Sequence, residues 1–203
     1  MNLISEDCHG RFVYEELKEQ FTNPFIWCYI TKDDMYYLIK HYNEINFNDY
    51  EISKSFVRNR PKNKMDVFKI RVNNKIDIHY THYHFKEDAK VRIVKKPDVY
   101  WNKIWEYVVE KYETRLKRMI ENPVFLINFS RQEYNKLIRE KYLKEEFNYK
   151  LIIITENEEE LKFANEKKMI ILDKTEHLSM DGLPDKYVKR NIDKIKEFIN
   201  ADN

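Results

Sequence analysis

The chain has 203 residues, a formal net charge of +2 and two glycines, where an ordinary share of roughly 7% would give about fourteen. That shortage excludes the Gly-rich phosphate loops of dinucleotide and nucleotide binders, the Gly-flanked serine elbow and Gly-rich linkers. The balance of 37 basic and 35 acidic residues argues against a dedicated nucleic-acid binder, and the 15% aromatic content argues against disorder.

No apolar run is long enough to span a membrane. The start, MNLISEDCHGR, has neither the basic flank nor the apolar stretch of a signal peptide. Two cysteines are too few for a disulfide framework, so a reducing, cytoplasmic setting is expected.

In chain order, residues 2–5 read as a short strand and 11–20 as a helix, with Phe12 and Leu17 at helical spacing. FIWCYI at 25–30 reads as a buried strand. Thr31 and Asp34 mark the start of a helix running to about residue 43. Strands are expected at 51–57 and 66–72. Asn73-Asn74 signals a turn into a returning strand at 75–81. Residues 86–95 look helical, Pro97 breaks the pattern, and a long helix follows from about 98 to 121, where Pro123 ends it.

The last third alternates regularly. Strands are expected at 124–129, 151–155 and 169–172, with helices at 131–142, 157–166 and 185–200. Ser130 with Glu133, and Thr155 with Glu158, read as capping boxes. The acidic run Glu158-Glu159-Glu160 suits the first turn of a helix and needs no other reason. The expected fold is α/β: a three-layer, mostly parallel sheet with helices on both faces and an antiparallel hairpin addition. Residues 1–203 read as one domain with a weak internal division near 122.

Four constellations could carry chemistry. Cys8-His9-Gly10-Arg11 lies between the first strand and the first helix. A thiol there feels the positive end of the helix dipole and the neighbouring cations, which favour thiolate. Gly10 points to a special backbone angle at that turn. Cys28, inside an apolar strand, reads as structural. The run His79-Tyr80-Thr81-His82-Tyr83-His84 holds three of the six histidines. No single regular element presents all three on one side, and no nearby acid pair completes a zinc pattern, so a general-base or substrate-contact role for His79 or His82 competes with plain packing. Arg115 and Arg118 are i,i+3 neighbours on the long helix, a spacing suited to an anion but equally to a solvated face. Arg58, Arg60, Lys62 and Lys64 flank Pro61 in an expected surface loop. Finally, the strand ends Asn128-Phe129-Ser130 and Thr155-Glu156-Asn157 sit where a parallel sheet presents ligands, although capping alone explains both.

Several of these segments resemble one bacterial family, the domain of unknown function 1919, whose members are commonly described as exopolysaccharide or capsule biosynthesis proteins. ISEDCHGRFVYEEL is similar to the family's Ser-Asn-Asn-Cys-x-Gly-Gly opening. DIHYTHYHFKEDA resembles its Ile-x-His-x-x-His-Tyr segment, and KYETRLKRM its Trp-x-x-Arg-x-x-Arg stretch. NPFIWCYI, PVFLINFS and KLIIITEN resemble further blocks. The match falls on Ser5, Cys8, Gly10, His79, His82, Tyr83, Glu87, Arg115 and Arg118. Asp7 replaces an Asn, Arg11 stands where the second Gly falls, Tyr112 stands where Trp is common, and residues 95–108 look inserted.

The resemblance implies a three-layer α/β fold and a setting in surface-polysaccharide synthesis. Joined to the residue chemistry, it leads to an expected cytoplasmic transferase, acyl transfer to a sugar hydroxyl being one form. Cys8, His79 and His82 are the catalytic candidates, with a histidine as general base and Cys8 lining the site or attacking. Ser5, His9, Gly10, Tyr83, Arg115 and Arg118 are the substrate-binding candidates. The partners would be a sugar or glycan acceptor and an anionic donor such as a phosphorylated carrier or coenzyme A. No nucleic acid, membrane span or metal is expected, and nothing specifies a cofactor or an oligomeric state. Two alternatives stay open: a metal-dependent hydrolase built on His79, His82 and His84, or a non-enzymatic member of a glycan assembly complex.

Overall fold

A computed structural model describes residues 1–6, 9–20, 22–25, 28–60, 63–80, 97–119, 121–129, 136–172 and 184–201. In chain order the elements are β1 (Leu3–Ser5), α1 (His9–Leu17), β2 (Cys28–Ile30), α2 (Lys32–His41), β3 (Tyr50–Arg60), β4 (Asn63–Val72), β5 (Ile76–Tyr80), α3 (Pro97–Leu116), β6 (Val124–Asn128), α4 (Lys136–Lys144), β7 (Lys150–Thr155), β8 (Lys168–Leu172) and α5 (Pro184–Asn200). They form two four-stranded sheets. The first has the order β1-β6-β7-β8 and every pair is parallel. The second has the order β2-β5-β4-β3 and every pair is antiparallel.

The parallel strands are apolar along their length because both faces are covered. On one face Leu3, Leu126, Ile152 and Ile154 pack with Val13 and Tyr14 of α1 and with Val188 and Ile195 of α5. On the other, Ile4, Phe125, Ile127 and Ile153 share a core with Met35 and Leu38 of α2 and with Ile138 and Tyr142 of α4. This is the expected three-layer α/β arrangement. The second core continues without a break into the antiparallel sheet, through Ile30, Phe68, Ile70, Ile78 and Tyr80 and the α3 residues Val108 and Tyr112. Along β5 burial alternates, so Ile76, Ile78 and Tyr80 face the core while Asp77 and His79 face away.

Sheet two is larger than the expected hairpin addition. Of the strand expected at 25–30, Cys28–Ile30 belong to it as β2, and the expected loop around Pro61 is flanked by long strands that pair as far as Arg60↔Asn63. Local pattern did not reveal this ribbon, since its basic residues read as loop. The turn at Asn73-Asn74 is as expected: φ is 51° and 52°, and Lys75 N donates to Val72 O at 3.0 Å, which suits a tight hairpin. Two helical expectations need correction. Helix α3 begins at Pro97, whose missing N–H costs nothing in a first turn, and stops at Leu116 rather than near 121. The expected helix at 157–166 is a 3-10 segment, Glu158–Phe163, capped by Asn157 rather than Thr155. Helix α4 spans Lys136–Lys144, and the expected start at 131 with its Ser130 and Glu133 cap lies outside the described residues, as does the helix expected at 86–95.

Only two glycines leave other residues to take left-handed backbone. Lys18 does so at the end of α1 with φ of 55°. Glu19 N donates to Tyr14 O and Lys18 N to Glu15 O, a Schellman closure without glycine. Gly10 is needed for a different reason from the one expected. It lies within helix α1, and a Cβ there would stand 2.8 Å from the Ser5 Cβ. The constraint is close approach of helix to strand, not a special backbone angle. Alanine would gain up to ~1 kcal/mol of helix propensity, but both clashing atoms are fixed to backbone, and overpacking of this kind costs about 1–3 kcal/mol. Gly10→Ala is therefore expected to lower the urea midpoint, and Ser5→Gly in the same chain to restore part of it. An unchanged midpoint in Gly10→Ala would remove the steric account.

Candidate functional site

Ligands of parallel α/β sheets bind beyond the carboxyl ends of the strands, and in this chain that end carries a connected set of buried polar groups. Glu6 directly follows β1. Its backbone carbonyl accepts from Ile30 N at 2.8 Å, which joins the parallel sheet to β2 of the antiparallel one. Its carboxylate accepts from Asn128 N at 2.7 Å, at the end of β6, and from Lys32 Nζ at 2.5 Å, at the start of α2. The two side chains of that ion pair are 3% and 9% exposed.

A second cluster stands beside it. Thr155, at the end of β7, donates its hydroxyl to Glu160 at 2.6 Å and accepts from Arg139 Nη2 at 2.7 Å. Arg139 Nε lies 2.7 Å from Glu160. Phe129 bridges the clusters: the Lys32 ammonium is 5.2 Å and the Arg139 guanidinium 5.4 Å from its ring centroid. Tyr142 packs against Phe129 and donates to Lys32 O at 2.7 Å. Glu6, Lys32, Phe129, Arg139, Glu160 and Thr155 thus form one chain of contacts across the ends of β1, β6 and β7.

The outer face of sheet two carries the other polar set. Register places Tyr29, His79 and Lys69 in one row. Asp77 is two residues from His79 on the same face and takes a bidentate contact from Arg71, at 2.7 and 3.0 Å, with Lys69 Nζ at 3.2 Å. These cations hold the Asp77 carboxyl below its usual range. Asp34, capping α2 with Thr31, is pushed the other way, mainly by burial. Burial also lowers the His79 imidazole, so the ring is neutral near pH 7. His79 Nδ1 is buried and has no hydrogen-bond partner among the described residues.

The other candidate residues are distributed as follows. Ser5 closes β1 against Gly10. His9 opens α1, its side chain outside the described set; Cys8, one position earlier, and His82, Tyr83, His84 and Glu87 also lie outside the described residues. Arg115 is in the last turn of α3, near enough to Tyr80 of β5 to favour its ionised form. Arg118 lies beyond the helix end, in a turn closed by its N–H on Arg115 O, so the two arginines do not share a helix face. Cys28 is fully buried in β2, its thiol donating to Pro24 O at 3.5 Å, in keeping with a structural role. Among the described residues, no group of three or more His, Cys, Asp or Glu could hold a metal ion.

Sequence reasoning missed Glu6, Lys32 and Arg139, and it misread Glu160. Glu160 is buried in the second cluster, so helix-start electrostatics do not account for it. The available signal was an acid set directly after a buried strand, at Glu6; its partners lie at distant positions that no local pattern connects.

The family model of a domain of unknown function (DUF1919) matches residues 1–196. No curated protein matches the chain. No helix among the described residues is long and apolar enough to cross a membrane.

Two outcomes follow from this geometry. Removing one partner of a buried ion pair leaves an uncompensated charge, which costs about 3–5 kcal/mol. Glu6→Ala should lose that much in urea denaturation, and Glu6→Leu with Lys32→Met should recover part of it; equal losses in both would deny the pair its role. His79 has a depressed value in the fold, so the unfolded chain takes up its proton first as pH falls. Its contribution is therefore fully present above the ordinary imidazole value of about 6.5 and is lost as pH drops below it. Comparing His79→Asn with the parent across that window should show a shallower loss of stability in the variant. Parallel curves would count against a buried neutral ring.

Proposed function

The chain belongs to the DUF1919 family, and we propose that it is a cytoplasmic transferase of bacterial surface-polysaccharide synthesis that modifies a sugar hydroxyl, with acyl transfer as the working form. The observation that carries the reading is His79: a half-buried imidazole kept neutral by burial, its Nδ1 without a hydrogen-bond partner among the described residues, on a polar sheet face beside Lys69 and Asp77. A general base must be neutral at the working pH, and the proton it takes from a hydroxyl must have somewhere to go.

In this reading the acceptor hydroxyl passes its proton to an imidazole, His79 or His82, as its oxygen attacks the carbonyl of a thioester donor. The C–O bond forms, the C–S bond breaks, and the imidazolium returns the proton to the departing thiolate. Arg115 stands on the α3 side of β5, near Tyr80 and on the opposite face from His79, so in the form with His82 as base Arg115 and Arg118 offer cationic contacts to the anionic part of the donor. Cys8, two positions after Glu6, lines the site or carries the acyl group between donor and acceptor. The Glu6–Lys32 contact holds the strand end from which that loop departs.

The test is turnover by the purified chain with acyl-coenzyme A donors and capsule-type glycans, read as thiol release. Loss of a general base lowers kcat by roughly 100-fold or more, so His79→Ala or His82→Ala should do so. Arg115→Ala should act mainly on donor KM. Full activity in Cys8→Ala and in both histidine variants would remove the catalytic roles. Glycan binding without turnover would favour a non-enzymatic member of an assembly complex.

A further inference from the structure

Away from the core, sheet two presents polar and aromatic side chains in two rows on a single face. Register sets Tyr29 of β2, His79 of β5 and Lys69 of β4 side by side. Two residues along, it sets Asp77 of β5, Arg71 of β4 and Glu51 of β3 side by side. Residues two apart on a strand share a face, and the alternate positions Phe68, Ile70, Ile78 and Tyr80 are buried on the other. Neighbouring strands lie about 4.8 Å apart and the rows about 7 Å apart, so the array covers roughly 10 by 7 Å.

Three properties set these rows apart from an ordinary solvated sheet face. They include an exposed aromatic ring: Tyr29 is 39% exposed and meets the His79 imidazole at 6.2 Å, tilted by 49°. They are ordered in advance. Arg71 donates from Nε and Nη2 to Asp77 at 2.7 and 3.0 Å, and Lys69 reaches the same carboxylate at 3.2 Å, so a ligand meeting them has little side-chain freedom to quench. Arg71 still has 41% of its side chain exposed. Lastly, their charges cancel. Lys69 and Arg71 stand against Asp77 and Glu51, and Arg71 has an acid as its register partner on either side.

We propose that this face is the subsite for an uncharged sugar, the acceptor of the reaction above, with the sugar ring on Tyr29 and its hydroxyls on Arg71 and Asp77. A pyranose has both aspects: a face of C–H bonds that lies on an aromatic ring, and a rim of hydroxyls that donate and accept. Asp77 offers carboxylate lone pairs and Arg71 its remaining N–H groups, while His79, between these and Tyr29, receives a hydroxyl of the same ring. A carboxylate or phosphate ligand would compete with Asp77 for the same cations while facing Glu51, so the face selects against acidic sugars. A single aromatic ring among charged side chains gives an apolar partner little to cover. The subsite rests on the reading of His79 as base. Tyr29, Arg71 and Asp77 determine specificity and take no part in the proton transfer.

The experiment screens the full chain on an array of hexose and N-acetylhexosamine oligosaccharides, neutral or carrying uronate or phosphate groups. The strongest neutral binder is then titrated while backbone amide shifts are followed by NMR. Binding is expected with neutral members, moving the amides of Tyr29, Lys69 and Arg71. Tyr29→Ala should weaken it about tenfold, and Tyr29→Phe should retain it. Should Tyr29→Ala fail to fold, Arg71→Gln carries the test with a loss of about tenfold. Binding of acidic members alone, no neutral binding at millimolar ligand, or undiminished binding by a folded Tyr29→Ala overturns the subsite. Thiol release with an unchanged acceptor KM in Tyr29→Ala also overturns it, and leaves the transferase reading standing. Neutral-sugar binding that Tyr29→Ala weakens, without thiol release, supports the subsite and removes the reaction.

Discussion

Glu6 is the residue on which both halves of the molecule meet. Its carbonyl is the acceptor for β2, and its carboxylate reaches the end of β6 and the first turn of α2. One residue, through its backbone and its side chain, thereby joins the parallel sheet, the antiparallel sheet and a helix between them. Burying that carboxylate is costly, and Lys32 together with the Asn128 N–H offsets the cost. The arrangement also explains how β1, only three residues long, holds an edge position. Its outer edge is tied down by side chains and by β2: Tyr14 Oη accepts from Leu3 N at 2.9 Å, Asn23 donates to Leu3 O at 2.7 Å, and Ile30 N donates to the carbonyl of Glu6, just past the strand. An edge so covered offers no template for a further strand.

Tyrosine does much of the same work elsewhere. Buried rings fill the core while their hydroxyls reach backbone carbonyls: Tyr80 to Pro24 at 2.7 Å and Tyr112 to Phe47 at 2.9 Å, both in irregular segments, and Tyr142 to Lys32 at 2.7 Å, in the first turn of α2. Each ring supplies apolar area, and the first two satisfy carbonyls outside strands and helices. Burial raises these phenols further above neutrality, so they remain donors. The high aromatic content thus serves the loops as well as the core.

Much of the fold was legible in the sequence because it is written in local periodicity. The apolar runs at 124–129 and 151–155 and the paired asparagines at 73–74 each announce their element. Pairing was less legible. Nothing in FIWCYI distinguishes a strand of the parallel sheet from one in the antiparallel sheet, and its partner is decided by the Glu6–Ile30 contact. The basic stretch around Pro61 reads as loop because charge hides its alternation. For the site, His79 was visible as part of a histidine run, whereas Lys32, Arg139 and Glu160 look like ordinary surface charges until their partners are known. Gly10 was noticed for its rarity, but its neighbour Ser5, and hence the reason, depends on tertiary approach.

The register Leu3↔Val124 has a consequence for how the chain assembles. Strand β1 precedes the other elements, yet its one strand partner among the described residues comes from the far side of the whole antiparallel sheet. Closing that gap in an unfolded chain carries the entropy of a very long loop. Sheet two, by contrast, is built mostly from neighbours: β3 turns into β4, and β4 into β5. Once formed it brings β2 to hand, and with it the N–H that receives Glu6. The inserted sheet thus holds the two ends of that long loop close together, and the β1–β6 pairing is the part of the parallel sheet whose closure it eases.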